Sequence, residues 1–496
     1  MMKNKNLVLL LALLVSIDNM VFSQYIRFRK TIGSTGYDFG MSAQQTTDKG
    51  YIIGGSTSSF GNGTSDIYLL KTDSMGIAKW QRTYGGINID RGTCVRQTTD
   101  KGFIISGYTN SIGAGGYDAY LIKTDSMGVK QWEKTYGGSD WDFANCVEQT
   151  NDGGYIICGS TYSYGKGKQD FYLLKTNQSG DTLWTRTYGG INDEEAKSVI
   201  QTSDGGFLLT GYTKSMGDTL GDFYTVKTNA LGDTLWTNRF GGPQEDFSND
   251  VLEKTAGGYI VGGGTKSFGN GDSDGIIVKI STAGISDTIY TIGLAGFEEF
   301  ESITQRSDGK IAMVGTTTSF GNANGVGDIY FVILNNQLSF YNSNTYGSLE
   351  SDIGYSIEKT SDRGFIICGI TKGYNSNGLE DIYLIKTDTL GNTTSTVVNV
   401  VTDIETANMP NSETITIYPN PADKILHLVI NFPIEDEPLI TITDIIGRKY
   451  FCKEIKTINN STINIDFPTS EFKNGMYFMN IQNKNFIKTK ELIINH

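Results

Sequence analysis

The chain has 496 residues, with 61 glycines, 7 prolines, 19% charged residues and a formal net charge of −13. That length allows several domains with ample core. The acidic balance excludes nucleic acid as a partner, because phosphate binding needs clustered Lys and Arg. Both histidines, His427 and His496, lie near the C-terminus, so the main body has no means of His-based acid–base catalysis or His-ligated metal binding.

Residues 1–23 read as a secretory signal: basic Lys3 and Lys5, an apolar run from Leu7 to Ile17, then small residues up to a cleavage point between Ser23 and Gln24. The apolar run is too short to span a bilayer, and no later segment is long and apolar enough to do so. The expectation is an exported chain with no transmembrane segment.

From residue 24 to residue 400 one unit recurs. An aromatic or Ile followed by Gly appears at Ile32, Tyr84, Tyr136, Tyr188, Phe240, Ile292 and Tyr346, in steps of 52 residues with a final step of 54. Turn signals recur in phase, as in Asp48-Lys-Gly50 and Asp152-Gly-Gly154, where tight hairpins need positive φ. Each unit reads as four short strands; in the second these are Trp80–Tyr84, Thr93–Gln97, Phe103–Tyr108 and Ala119–Lys123. A four-stranded unit cannot bury both its faces alone, but seven can if they pack around an axis and close. The prediction is an all-β chain, a seven-bladed β-propeller followed by a small β-sandwich; a parallel β-helix would have shorter coils. Phe28 lies one repeat before Trp80, so one blade is expected to be completed by strands from both ends of the repeat region, latching the ring; the sequence leaves open which blade. The matching segment after the seventh unit, Ser395–Val400, has lost the aromatic, and whether it pairs there stays open.

Trp80, Trp132, Trp184 and Trp236 each follow a turn glycine by four residues and are read as filling the space between neighbouring sheets. The text Lys71-Thr72-Asp73-Ser74-Met75-Gly76 before Trp80 resembles the docking repeat of quinoprotein-like propellers. It departs by one residue between Asp and Gly, and later units lose the Trp, so the resemblance implies blade packing and no quinone.

Three acidic positions recur in register: Asp38 to Asp352 after the Gly turn, Asp48 to Asp362 in the hairpin, and Asp66 to Asp381 before the last strand. Rings of carboxylates at a channel mouth would suit Ca²⁺, while the same residues fix turns within their own blades by accepting backbone N–H bonds. The most calcium-like text is Asn270-Gly-Asp272-Ser-Asp274-Gly275, with Asp272 and Asp274 as metal candidates; it lacks the glutamate that closes an EF-hand loop. No cofactor is otherwise implied. A catalytic carboxylate pair needs asymmetric surroundings, and near-equal repeats single none out. An active site should therefore appear as a departure from the repeat, of which Ala323–Val326 and Gly373–Glu380 are the largest. Neither brings a nucleophile, base or metal triad, so no catalytic residue is assigned. Cys146 and Cys158 flank the Asp152 hairpin and are a candidate disulfide, and the count of five cysteines leaves at least one thiol free.

Residues 401–415 read as a linker. From 416 to 496 acidic and basic residues balance, and short runs such as Lys424–Ile430, Ser461–Phe467 and Gly475–Ile481 alternate apolar and polar residues, as in a β-sandwich. Within this segment Tyr418-Pro419-Asn420-Pro421, the turn at Gly447, and Gly475-Met476-Tyr477, followed by a last strand to Ile494, resemble the C-terminal sorting domain of the type IX secretion system. That resemblance implies a Gram-negative bacterium, secretion machinery as a partner, passage to the outer-membrane surface or beyond, and removal of the domain. The mouth loops display Ser, Asn, Asp, Tyr and Phe, as in Ser59-Phe60-Gly61-Asn62, so the propeller is expected to be a non-catalytic binding or adhesion module for a glycan or protein. The alternatives are a polysaccharide lyase or glycosidase on the same scaffold, or a structural matrix protein.

Overall fold

The computed structural model describes residues 26–217, 219–321, 326–374, 379–401, 414–418, 424–431, 439–444, 448–454, 462–470, 472–482 and 487–494. The signal cleavage point Ser23/Gln24, most of the two loop departures, and Pro419, Asn420, Pro421 and Gly447 lie outside them. Among the described residues there is no helix. The chain divides into two compact units, Met1–Val400 and Val401–His496.

In the first unit the strands β1 (Phe28–Gly33), β2 (Asp38–Gln45), β3 (Tyr51–Thr57), β4 (Asp66–Thr72) and β5 (Ala78–Tyr84) set the pattern. The sheet β2-β3-β4-β5 is antiparallel, and five further sheets repeat it. The two middle strands are buried along their whole length and read as continuous apolar runs rather than alternating ones, because both faces of each sheet are covered. The innermost strands touch in a closed cycle, from β2 through the strands beginning at Asp90, Asp142, Glu194, Asp246, Glu298 and Asp352 and back to β2. The molecule is thus a β-propeller of seven blades.

The sequence repeat and the blade are out of phase by one strand. Trp80–Tyr84, read as opening the second unit, instead closes the first blade as part of β5. The seventh sheet consequently takes its fourth strand from the other end of the chain. β1 pairs antiparallel with Asp381–Thr387, with Phe28 opposite Lys386 and Ile32 opposite Ile382. Val397–Val401 then adds a fifth strand beyond β1, which answers the question left open above.

The docking aromatics seal the junctions between blades. Trp80 packs edge-on against Phe103 of the next blade at 5.8 Å, Trp132 against Tyr155 at 5.9 Å, and Trp184 lies 5.9 Å from Phe207. Phe28 makes the same contact to Tyr51 at 5.8 Å across the latch. Each ring lies over the turn glycine of the next blade: a Cβ at Gly128, where φ is +73°, would stand 2.7 Å from the Trp80 ring. Glycine is needed there both for the left-handed backbone and for the close approach. Tyr84, Tyr136 and Tyr188 then donate their hydroxyls to the carbonyls of Gly128, Gly180 and Gly232, each at 2.6 Å.

At the hairpin end a lysine clamps its own blade. Lys71, Lys123, Lys175, Lys227 and Lys386 are nearly inaccessible and pair with Asp48, Asp100, Asp152, Asp204 and Asp362 at 2.9–3.0 Å. The Lys71 ammonium also donates to the Thr72 carbonyl. All five cysteines are free thiols. Cys146 and Cys158 stand opposite each other in register across their hairpin, yet they serve as small apolar core residues rather than the bridge considered above.

The second unit is a two-sheet sandwich. Thr414–Tyr418, Ile425–Asn431 and Thr462–Pro468 form one sheet; Lys449–Glu454, Leu439–Asp444, Gly475–Gln482 and Ile487–Ile494 form the other. Leu428, Ile442, Phe467, Met479 and Leu492 share its core. Tyr477 follows Gly475 into its strand, and its hydroxyl is bonded to both the N–H and the carbonyl of Lys473, tying down the preceding turn.

Two outcomes follow from these contacts. Phe28→Ala should empty the latch junction and lower stability by about 3 kcal/mol, read as a fall in the unfolding midpoint. The second concerns acid. Burial would raise the Asp48, Asp152 and Asp204 carboxyls, but bonds from Thr46, Thr150 or Thr202 and from the clamping lysine outweigh it and bring each to about 2. Folded values below the unfolded 3.8 contribute stability above that pH, which is lost as pH falls toward 2. Asp204→Ala should abolish that acid limb at its blade and destabilise more than Lys227→Met, because it leaves the enclosed ammonium unpaired, whereas Lys227→Met removes the enclosed charge and leaves a carboxylate open to solvent; thermal unfolding between pH 2 and 5 measures both.

Candidate functional site

The repeated carboxylates are occupied structurally. Asp38 accepts the Ser34 N–H at 2.8 Å and the hydroxyls of Thr57 and Ser59 at 2.5 and 2.6 Å, and its counterparts are equally buried at the start of each innermost strand. In the third series Asp66 accepts from Gly63, Asp118 from Ala114 and Asp170 from Lys166. Asp274 belongs to this series: its Oδ2 accepts the N–H groups of Asn270 and Gly271 at 2.9 and 3.1 Å. Asp272 bonds the Gly296 carbonyl through its backbone N–H. Among the described residues no group of three or more His, Cys, Asp or Glu is arranged to hold a metal ion.

One position in each innermost strand differs from blade to blade. Every innermost strand carries a register shift, between Gly40 and Ser42 in the first blade and at the equivalent place in the other six. The residue skipped by the ladder is Met41, Thr93, Asn145, Lys197, Asn249, Glu301 or Tyr355. A bulge turns the extra side chain out of the sheet, and all seven line the central channel. At the mouth where the innermost strands begin, they form the floor of a cavity of about 440 Å³ whose walls include Tyr212, Lys214, Glu245 and Glu299.

The polar groups of this cavity connect adjacent blades. Asn145 donates its amide to Glu195 at 3.0 Å and to the Ala196 carbonyl at 2.8 Å. Asn249 does the same to Glu299 and the Phe300 carbonyl, at 3.0 and 3.1 Å. Lys197 bonds Glu195 at 2.7 Å. Glu299 and Glu301 adjoin, and burial, with their mutual repulsion, pushes Glu301 well above the carboxylate range. Deeper in the channel, burial raises Glu148 to about 7 against the pull of Arg96, while Glu358 and Asp250 are also raised by burial. The site is thus asymmetric, acidic and partly protonated near neutral pH.

The sequence reading singled out no such pair, because Glu299 and Glu301 sit within a regular unit. The signal that finds them is the third residue after each ring carboxylate, which is different in nearly every blade while its neighbours repeat.

Residues 416–495 match the model of the secretion system C-terminal sorting domain. A stretch of 190 residues is 26% identical to the regulatory protein FlaEY of Caulobacter vibrioides, covering 35% of this chain and 20% of that protein. Among solved structures, Sqt1 from Chaetomium thermophilum is similar at 11% identity and a TM-score of 0.43, over 70% of this chain and 82% of its own. PorZ, a surface component of the type IX secretion system of Porphyromonas gingivalis, is similar at 11% identity and a TM-score of 0.34, over 88% of this chain and 65% of its own. No described helix is long and apolar enough to cross a membrane. The C-terminal sandwich is therefore a type IX secretion sorting domain, and the chain it addresses is exported to the cell surface or released.

Proposed function

We propose that the propeller is a non-catalytic binding or adhesion module, delivered by the sorting domain and taking its ligand at the channel mouth. The observation that carries this reading is the cavity of about 440 Å³ floored by the bulge residues, a position that each blade sets for itself. Concave sites with a few convergent polar groups are where small ligands and chain ends are held. Residues 1–23 act as the export signal, and residues 416–496 are recognised by the type IX machinery of a Gram-negative cell and removed at its surface.

A second reading, a polysaccharide-active enzyme, is favoured by Glu301, whose retained proton is what a general acid needs. The geometry weighs against it. Glycosidase carboxyls stand about 5–9.5 Å apart across the substrate to admit a nucleophile or water, whereas Glu299 and Glu301 adjoin on one bulged strand and act directly on each other.

Two experiments test the proposal. Truncation after residue 415 should leave the propeller inside the cell envelope, with cell fractionation as the readout; surface delivery of the truncated chain would refute the address. Glycan and peptide arrays, with and without Ca²⁺, should give binding without turnover, weakened about tenfold or more by Glu301→Gln. Product release would support the enzyme, and silence on both arrays would support a structural matrix role.

A further inference from the structure

Four of the five tryptophans are the docking residues between blades. The fifth, Trp141, is not. It lies in the loop before the innermost strand of the third blade, where the other blades carry Tyr37, Ile89, Asp193, Glu245, Phe297 and Ser351, and 49% of its surface is exposed. Its backbone is pinned, with the N–H on Asp140 and the carbonyl receiving the Tyr162 N–H at 2.8 Å. Its indole is supported from beneath: a Cβ on Gly116 would stand 2.2 Å from the ring, so only glycine admits it.

Around it the blades supply aromatics that the repeat does not. Tyr117 stands 6.0 Å from Trp141 and Tyr162 stands 6.1 Å away on the third blade, both edge-on. Behind them Tyr108 and Phe143 meet at 5.0 Å. The Tyr162 hydroxyl donates to Gln169 at 3.2 Å. Asp193 and Glu195 act on the hydroxyls of both Tyr162 and Tyr212 and, with burial, raise them. Tyr212 is itself a wall of the 440 Å³ cavity. Tyr108, Tyr117, Trp141, Phe143 and Tyr162 thus form an aromatic strip over the second and third blades, and Tyr212 of the fourth blade stands beyond it, near the same two carboxylates, at the channel mouth.

We propose that this strip, centred on Trp141, is a stacking track for a neutral glycan chain whose end reaches the cavity. This inference rests on the reading of the propeller as a binding module. A sugar ring offers an apolar C–H face for an indole and a rim of hydroxyls for the flanking carboxylates and amides, and Trp and Tyr suit surfaces that are apolar on one side and wet on the other. The carboxylates of Asp140 and Asp193 beside Tyr162 repel uronates, whereas Glu195 is neutralised by Lys197. Asp140 and Asp193 also disfavour an apolar protein anchor, which would bury their charges.

Tryptophan fluorescence tests the track, since Trp141 is the most exposed tryptophan, the other four being buried or half-buried against the next blade. The mature propeller is titrated with cello-, manno-, xylo- and chitohexaose, and with a hexagalacturonate. At least one neutral hexasaccharide should change the emission saturably and protect it from acrylamide, while the uronate should not. Trp141→Ala should abolish the change and weaken binding about tenfold or more, and Trp141→Phe should retain most of the affinity; circular dichroism checks that both fold. The inference fails if no neutral hexasaccharide binds, or if the uronate binds as well as they do. It also fails if Trp141→Ala binds like the parent, which would leave the binding-module reading intact with its site elsewhere. Trp141-dependent capture on the peptide array, without glycan binding, overturns it in favour of a protein partner.

Discussion

Ring closure is the constraint on which this structure depends. A four-stranded blade whose middle strands are buried on both faces has no stable existence alone, because each face needs a neighbour. Six junctions come from sequence order, but the seventh must be made by the chain ends. Phe28 packing on Tyr51 makes the latch chemically equivalent to the four tryptophan junctions, so closure uses the same aromatic-on-aromatic contact as they do. The channel, its mouth and the loops around them exist only because that last face is covered.

The hairpin carboxylates and the channel carboxylates have opposite pH behaviour. Those at the hairpins are bonded by N–H groups, hydroxyls or a lysine, and three of them are held near 2; they favour the fold at neutral pH. Those in the channel are raised by burial, Glu148 to about 7, and a raised acid costs stability while it is ionised and ceases to as it gains a proton. The symmetric set stabilises the frame. The asymmetric set is a cost that the frame carries, and residues held at such a cost are the natural candidates for function.

Much of this was legible in the sequence. The 52-residue period, the hairpin turns, the role of Trp80 and its counterparts, and the latch by the N-terminal strand all follow from the spacing of Gly, Asp and aromatics. Period-two patterning likewise located three of the seven sandwich strands within a residue of their observed limits, those beginning at Ile425, Thr462 and Gly475. The phase of the blade was not legible, because a circular repeat has no natural start and β5 reads equally well as first or last strand. Nor was the channel lining, because a bulge is a pairing event: nothing local to Glu301 or Lys197 states that the ladder skips them. Lys71 was visible only as part of a resemblance, and its buried clamp on Asp48 needed the strand positions.

The bulge explains why variation is tolerated where it occurs. A residue in the ladder of an innermost strand alternates between two packed faces and has little freedom of size or charge. The skipped residue answers to neither face and projects into the lumen, so Met41, Lys197, Glu301 and Tyr355 can replace one another without disturbing a blade junction. The loop position of Trp141 has the same property, since it varies from Tyr to Asp to Ser around the ring while the carboxylate immediately after it remains buried in every blade. Repetition thus fixes a rigid frame and leaves two rings of unconstrained positions at one mouth. Selection for a ligand can act on those rings alone, which is why the aromatic strip and the acidic cavity meet at the same end of the channel.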